Sequence, residues 1–266
     1  MKIAIFGLGE AGRTIGGDLV NAADQRPDGL EIQGFDPADV PTPEGITRVG
    51  NPSDAVTGSN LVLSLTGSVD ARTALQQALA AIPTDAVYAD FASASAGLKR
   101  ELADIADSRG IRFCDVALMA MVPGNGIHTP SMFSGNGAAT LQSVLAPLGM
   151  PVDVVSEIPG DAAERKLLRS VVIKGTAALL IESLQGAHKA GCAEWLWKNL
   201  VDEFSAMDKS MMQRLVEGTE VHAERRFHEM RASAQQLQEL GIEPVMTDST
   251  VRNLQQVMNI GVPKIP

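Results

Sequence analysis

At 266 residues the chain is long enough for one large or two ordinary domains, each with its own core. Its apolar fraction of 45% is that of a soluble globular protein, and a formal charge of −10 argues against a nucleic-acid partner, which needs a basic face. Cys114 and Cys192 are the only cysteines. They stand far apart, without Cys-x-x-Cys spacing or nearby histidines, so they read as reduced thiols and no metal site is expected. A strand pattern begins at residue 2, so no signal peptide is expected. Lys174 and Glu182 interrupt the most apolar later run, so no membrane span is expected either. Together these readings point to a soluble, reducing compartment, the cytoplasm.

Residues 2–6 (KIAIF) form a short apolar, β-rich run that stops at Gly7. A helical pattern follows over 10–20 and a second strand over 30–35. Further buried-looking strands fall at 61–65 (LVLSL), 87–91 (VYADF) and 111–118, with weaker ones at 131–134 and 152–155. Helical patterns lie among them over 69–80 and 96–108. This alternation predicts βαβ units and a parallel, doubly wound sheet, an α/β domain over residues 1–159. After Pro159-Gly160 no convincing strand recurs. Helical patterns cover 161–188, 193–216, 220–240 and 249–258, punctuated by Gly191, Gly218, Gly241 and Pro244. They predict an all-helical second domain over 160–266. Between 171 and 181 the first of these helices is apolar nearly all round. It is expected to be buried on every side, at the centre of the helical domain or in a subunit interface.

Gly7-Leu8-Gly9-Glu10-Ala11-Gly12 reads GxGxxG, directly after a strand and opening a helix. Gly7 permits the tight turn, Gly9 lets a pyrophosphate approach the backbone, and Gly12 lets helix and strand pack closely. The N–H groups and positive dipole end of the helix suit phosphate. In this context the motif predicts a dinucleotide-binding Rossmann domain, with residues 7–12 on the cofactor. The second strand ends in Gly34-Phe35-Asp36, and a carboxylate at its tip is placed to accept hydrogen bonds from the adenosine ribose. Asp36 would repel the extra phosphate of NADP, and Pro37-Ala38-Asp39 offers no arginine to hold it. NAD is the expected cofactor, with NADP the alternative. Thr66 and Ser93 complete the expected cofactor-binding set.

Four features occur in the order used by the β-hydroxyacid dehydrogenases. They are the Gly7–Gly12 motif, Asp90-Phe91-Ala92-Ser93-Ala94-Ser95, the segment 115–126, and the helix around Lys166. Over its whole length the chain resembles that superfamily, which includes 3-hydroxyisobutyrate and 6-phosphogluconate dehydrogenases. It is most similar to a short 6-phosphogluconate dehydrogenase-like branch with its own C-terminal domain type. The family's catalytic signature is a glycine-led helix start, a lysine, and an asparagine one turn later. By resemblance Lys166 takes the lysine position, and Ser170 stands where the asparagine belongs. The family's Asp-Ala-Pro-Val-Ser-Gly-Gly segment lines the substrate site. Here it reads Asp115-Val116-Ala117-Leu118-Met119-Ala120-Met121, which places Met119 on the substrate side without the serine and glycines. The chain is also much shorter than the 6-phosphogluconate dehydrogenases, so that activity itself is not expected.

Moving a hydride from an alcohol carbon to nicotinamide requires a proton to leave the hydroxyl, hence a general base within hydrogen-bond reach. On a helix, steps of four residues advance about 40°, so Lys166, Ser170 and Lys174 form one stripe. Lys166 is expected to move the hydroxyl proton, Ser170 to hydrogen-bond, and Lys174 to hold an anionic group of the substrate. The stripe continues into Ile173, Ala177 and Ile181, so this side is expected to face packed material. His128, in the loop 124–128, is a further substrate-side candidate. His222, Arg225, Arg226 and Glu229 recur at about one-turn spacings. They read as a solvated, self-paired face, with an anion clamp as the alternative. Met207, Met211, Met212, Trp195 and Trp197 read as core or interface packing.

The function expected is hydride transfer between a nicotinamide cofactor and a small β-hydroxy acid or related carbonyl compound. An imine reductase is the alternative enzyme; such enzymes look similar in sequence but usually place another proton donor at the lysine position. A non-catalytic nucleotide-binding regulatory protein is the alternative from another class. The apolar helix, with Trp195 and Trp197, needs more cover than about a hundred residues provide, so a homodimer through the helical domain is expected.

Overall fold

The computed structural model describes residues 1–23 and 29–266. Its contacts divide the chain into two units, Met1–Arg169 and Ser170–Pro266. The sequence places the boundary at residue 160, where the long helix begins; the structure places it further along that helix. The reason is local. The first turn of the helix is bonded to the sheet of the first unit, through Ala162 and Ala163.

The first unit opens with β1 (Lys2–Phe6), α1 (Glu10–Ala23), β2 (Glu31–Phe35), β3 (Thr47–Arg48) and α2 (Pro52–Val56). It continues with β4 (Leu61–Ser64), α3 (Ala71–Ala78), β5 (Val87–Asp90), α4 (Ala96–Asp107) and β6 (Arg112–Leu118). Then come β7 (Ser131–Ser134), α5 (Ala138–Leu145), β8 (Val152–Ser156) and the start of α6 (Asp161–Ala190). One eight-stranded sheet runs β3-β2-β1-β4-β5-β6-β7-β8. From β2 through β6 all pairings are parallel, which is the Rossmann order. The strands are apolar on both faces because both are covered. Ile3, Ile5, Leu63, Ala89 and Val116 pack with Ile15 and Leu19 of α1 and Leu141 and Leu145 of α5. The alternate residues Ala4, Phe6, Val62, Tyr88 and Phe113 pack with Leu75 of α3 and Leu102 of α4.

The sequence predicts a parallel sheet, but the sheet is not parallel throughout. β7 pairs antiparallel with β6, with Leu118 opposite Ser131. No crossover helix joins them: the chain passes through one 3-10 turn, Gly126–His128, and returns beside β6. Periodicity also misses β3 and α2, each too short to show a pattern, and the eight-residue α5.

The second unit takes in the rest of α6, then α7 (Ala193–Ser205), α8 (Lys209–Val221), α9 (Ala223–Glu239) and α10 (Val245–Ile260). The single helix predicted over 193–216 is broken, because Asp208 accepts the Met211 amide at 2.8 Å and caps a new helix. α10 begins four residues early because its first amides are capped from α6. Glu182 accepts Met246 N at 2.7 Å and Thr247 N at 2.9 Å. Burial disfavours the Glu182 carboxylate, but the Thr247 hydroxyl and the Met246 and Thr247 amides outweigh it and hold its pKa below the usual value.

The apolar stretch of α6 is not packed within its own chain, which rules against the first of its two expected places, the centre of the helical domain. Val171 is 71% exposed, Ile173 55% and Ile181 59%, and Trp195 of α7 is 67% exposed. Among the described residues, no helix is long and apolar enough to cross a membrane.

Candidate active site

The GxGxxG turn is built by two glycines that the protein itself requires. Gly7 has φ +83°, and a Cβ there would stand 2.7 Å from Leu65 O. A Cβ on Gly12 would stand 1.8 Å from Gly7 O, so no side chain fits between turn and helix. Gly9 is different. Its φ is ordinary, and a Cβ there would meet nothing within 4 Å. The first α1 bond runs from Arg13 N to Gly9 O at 2.9 Å, which leaves the first-turn amides of Glu10 and Ala11 beside that open space.

Asp36 lies just past the end of β2, half-buried. Its Oδ2 accepts Leu8 N at 2.7 Å and its Oδ1 accepts Ala38 N at 2.8 Å. The carboxylate thus ties the glycine turn to the loop after β2 and keeps unshared lone pairs on both oxygens. Leu8, expected against the cofactor, is wholly buried and donates its amide to Asp36; it holds the turn from inside. Thr66 lies beside Gly7, its amide nitrogen 3.2 Å from where a Gly7 Cβ would stand, and its Oγ1 is 3.2 Å from Ser64 Oγ.

An arginine that the sequence reading did not find also reaches this end of β2. β3 pairs with β2, Gly34 opposite Arg48. Arg48 therefore donates from Nη2 to Asp36 O at 3.0 Å and to Ala38 O, and from Nη1 to Val40 O and Thr42 Oγ1. All four terminal N–H groups serve the loop 36–42.

Lys166 and Ser93 are brought together across 73 positions, with Lys166 Nζ donating to Ser93 Oγ at 2.7 Å. Around them Ala92, Ala94, Val116, Ala117 and Ala163 line a small apolar cleft. Ser93, expected on the cofactor, is the partner of the expected proton-transfer lysine. Ser170 and Lys174 follow on α6, half-buried and exposed respectively, and belong to the second unit. Met119 continues β6 beyond the cleft-lining Ala117, its amide bonded to Pro130 O at 2.7 Å. His128 does not line the cleft: it is exposed, and Nδ1–H donates to Gly149 O at 2.9 Å, which pins the turn before β8. The pairing expected near the C-terminus is present. Arg225 meets Glu229 at 3.2 Å, while Arg226 is spent on Leu215 O and Thr219 Oγ1 of α8.

Behind the cleft lies a buried ionic cluster that the sequence reading also passed over. Lys99 of α4 is fully buried, with Nζ 2.6 Å from Asp90 Oδ2 and 3.0 Å from Asp115 Oδ1. Burial is the main influence on Asp90 and raises its pKa; Lys99 lowers it without compensating, and Asp115 raises it further. A signal existed: Lys99 shares the buried helix face of Leu102, Ala103 and Ala106, where a lysine needs an acid partner. Among the described residues, no group of three His, Cys, Asp or Glu could hold a metal ion.

A family model described as a domain of unknown function, DUF1932, matches residues 187–257. The chain is 25% identical over 164 residues to an uncharacterized 28.5 kDa protein of Methanothermus fervidus, encoded in a 7S RNA 5′ region. That match spans 62% of this chain and 63% of the relative. The conserved protein MTH1747, of unknown function and described as structurally similar to 3-hydroxyacid dehydrogenases, is 25% identical, with a TM-score of 0.61. The similarity covers 97% of each of the two chains. An imine reductase from Myxococcus stipitatus, solved in complex with NADP+, is 18% identical, with a TM-score of 0.77 over 98% of this chain and 96% of that one. At that identity the likeness is one of fold.

Proposed function

We infer that this chain, which belongs to the β-hydroxyacid dehydrogenase superfamily, is a nicotinamide-nucleotide-dependent oxidoreductase acting on a small molecule. The observation that carries the reading is the open space at Gly9. The chain's own atoms account for Gly7 and Gly12, whereas the bare backbone at Gly9 is accounted for by a ligand that approaches it. A pyrophosphate fits this place, because the first-turn amides of α1 and the positive end of its dipole face an anion there. Gly7, Gly9, Glu10, Ala11 and Gly12 would hold it, with Asp36 on the ribose and Thr66 beside the turn.

When bound, the nicotinamide supplies or accepts the hydride. The chain's part is the proton. Lys166 exchanges it with the substrate oxygen, as acid toward a developing alkoxide and as base in the reverse direction. The Ser93 hydroxyl orients the amine, and the alanine-rich wall of the cleft keeps competing polar groups away. On helical spacing alone we add Ser170 as a hydrogen-bond partner and Lys174 as the anchor for an anionic group. The substrate class that suits a lysine donor is a small β-hydroxy acid or related carbonyl compound. Met119 is kept as a substrate-side residue by its place in the segment.

NAD is the preferred cofactor on this reading. Asp36 offers acceptors to ribose hydroxyls and charge against a 2′-phosphate. Arg48, the nearby cation, spends its four terminal N–H groups on the loop. The reading includes a homodimer, a second copy covering the apolar surface of α6 and α7, and a cytoplasmic location. The test is a panel of β-hydroxy acids and cyclic imines read by NADH absorbance. Turnover of a hydroxy acid is expected, and Lys166→Ala should cut it by roughly a hundred- to ten-thousand-fold while NAD affinity stays put. Full turnover by a folded Lys166→Ala variant would remove lysine from the mechanism, and preference for imines would change the substrate class.

A further inference from the structure

α6 starts without a local cap. The residue before it is Gly160, at φ +96°, whose carbonyl accepts Glu164 N at 2.9 Å but which has no side chain to offer the next amides. Those amides are taken instead by two strands. Ala162 N donates to Ser134 Oγ at 3.0 Å, and Ala163 N donates to Asp115 Oδ2 at 2.8 Å. Ser134 Oγ also donates to Asp115 Oδ2 at 3.2 Å, which joins the two acceptors.

These groups form part of one polar rung across the sheet. Ser64 pairs with Asp90, Asp90 with Asp115, and Asp115 with Ser134, so their side chains leave the sheet on the same face. All four are fully buried. Lys99 sits over the two carboxylates, and its ammonium also donates to Asp90 O at 2.8 Å. Desolvating such a cluster is costly, so it is a poor choice for stability alone. What it does is hold the first turn of α6 at the strand ends. Lys166 stands one turn beyond Ala162, on the helix face that reaches Ser93.

We propose that Asp115 and Ser134 are positioning residues for Lys166: they hold the first turn of α6 so that the lysine amine seats on Ser93, with Lys99 balancing the carboxylate that does so. The inference rests on the reading of Lys166 as the proton-transfer group, but the seat itself can be tested without a substrate.

The experiment is trace acetylation of the folded protein, with each lysine's labelling rate read by mass spectrometry. In Ser134→Ala and Asp115→Asn, Lys166 labelling should rise about fivefold, the weight of one hydrogen bond. Labelling of Lys2, whose side chain is 17% exposed, should stay unchanged, whereas general loosening would raise both. Ser134→Ala keeps the ionic cluster and carries the test should Asp115→Asn fail to fold. With a substrate from the panel, kcat should fall while KM for NAD holds. Adding Ser134→Ala to Lys166→Ala should slow turnover no further, because both act through one amine. Unchanged Lys166 labelling in both variants, or additive losses in the double variant, would overturn the positioning role. Full turnover by Lys166→Ala alone would instead overturn the catalytic reading and leave the labelling result standing.

Discussion

Substituting Gly9 separates a cofactor cradle from a glycine-rich turn that serves only packing. A Cβ at Gly9 meets no protein atom within 4 Å, and the residue does not occupy the left-handed region. Gly9→Ala should therefore not cost stability. By restricting the unfolded chain it should contribute about 0.4–1 kcal/mol, which raises Tm by a few degrees at most. The added methyl occupies the space where a pyrophosphate would meet the α1 amides. Losing one charge-assisted hydrogen bond there is worth about 1.5–3 kcal/mol, or roughly ten- to a hundredfold in Kd, and Gly9→Val should do more. Gly12→Ala is the contrasting control: its Cβ would stand 1.8 Å from Gly7 O, so backbone must move, and it should lose stability together with binding. The assay is calorimetric titration of NAD beside thermal melts of all three variants. If Gly9→Val bound NAD as tightly as the unaltered chain, the open space would have another cause and the reading built on it would fail.

Cofactor choice follows from Asp36 and Arg48: NAD should bind more tightly than NADP in side-by-side titrations, and equal affinities would contradict the assignment of Asp36 to the ribose. Glu182 should give α10 a pH-dependent anchor. Its folded pKa is depressed, so the stabilisation is complete above the unfolded carboxylate value of about 4.3 and is lost as pH falls through the folded value. Glu182→Ala should cost about 1–3 kcal/mol at neutral pH, and the gap to the unaltered chain should close in acid melts; a gap independent of pH would sink the assignment. Sedimentation at micromolar concentration should show a dimer, and a persistent monomer would leave Ile173, Ile181 and Trp195 exposed with no second copy to cover them.

Much of the fold and part of the candidate site were legible in the sequence because they depend on short-range rules. KIAIF followed by GxGxxG specifies strand, turn and helix within a dozen residues, since Gly12 answers a contact made inside that same stretch, with Gly7 O. The α/β-to-α switch near Gly160 is equally local, a change of period. Even the break between α7 and α8 was encoded locally, in Asp208, but the continuing apolar pattern hid it. Only the tertiary structure decided the rest. Arg48 reaches the Asp36 loop because β3 pairs with β2, Lys166 meets Ser93 across 73 positions, and Glu182 caps a helix that begins 63 residues later. The rung of Ser64, Asp90, Asp115 and Ser134 exists only once four strands are in register. Periodicity reports which face of an element is buried, whereas the partner across that face is set by strand order and register, and those are settled when the whole chain packs.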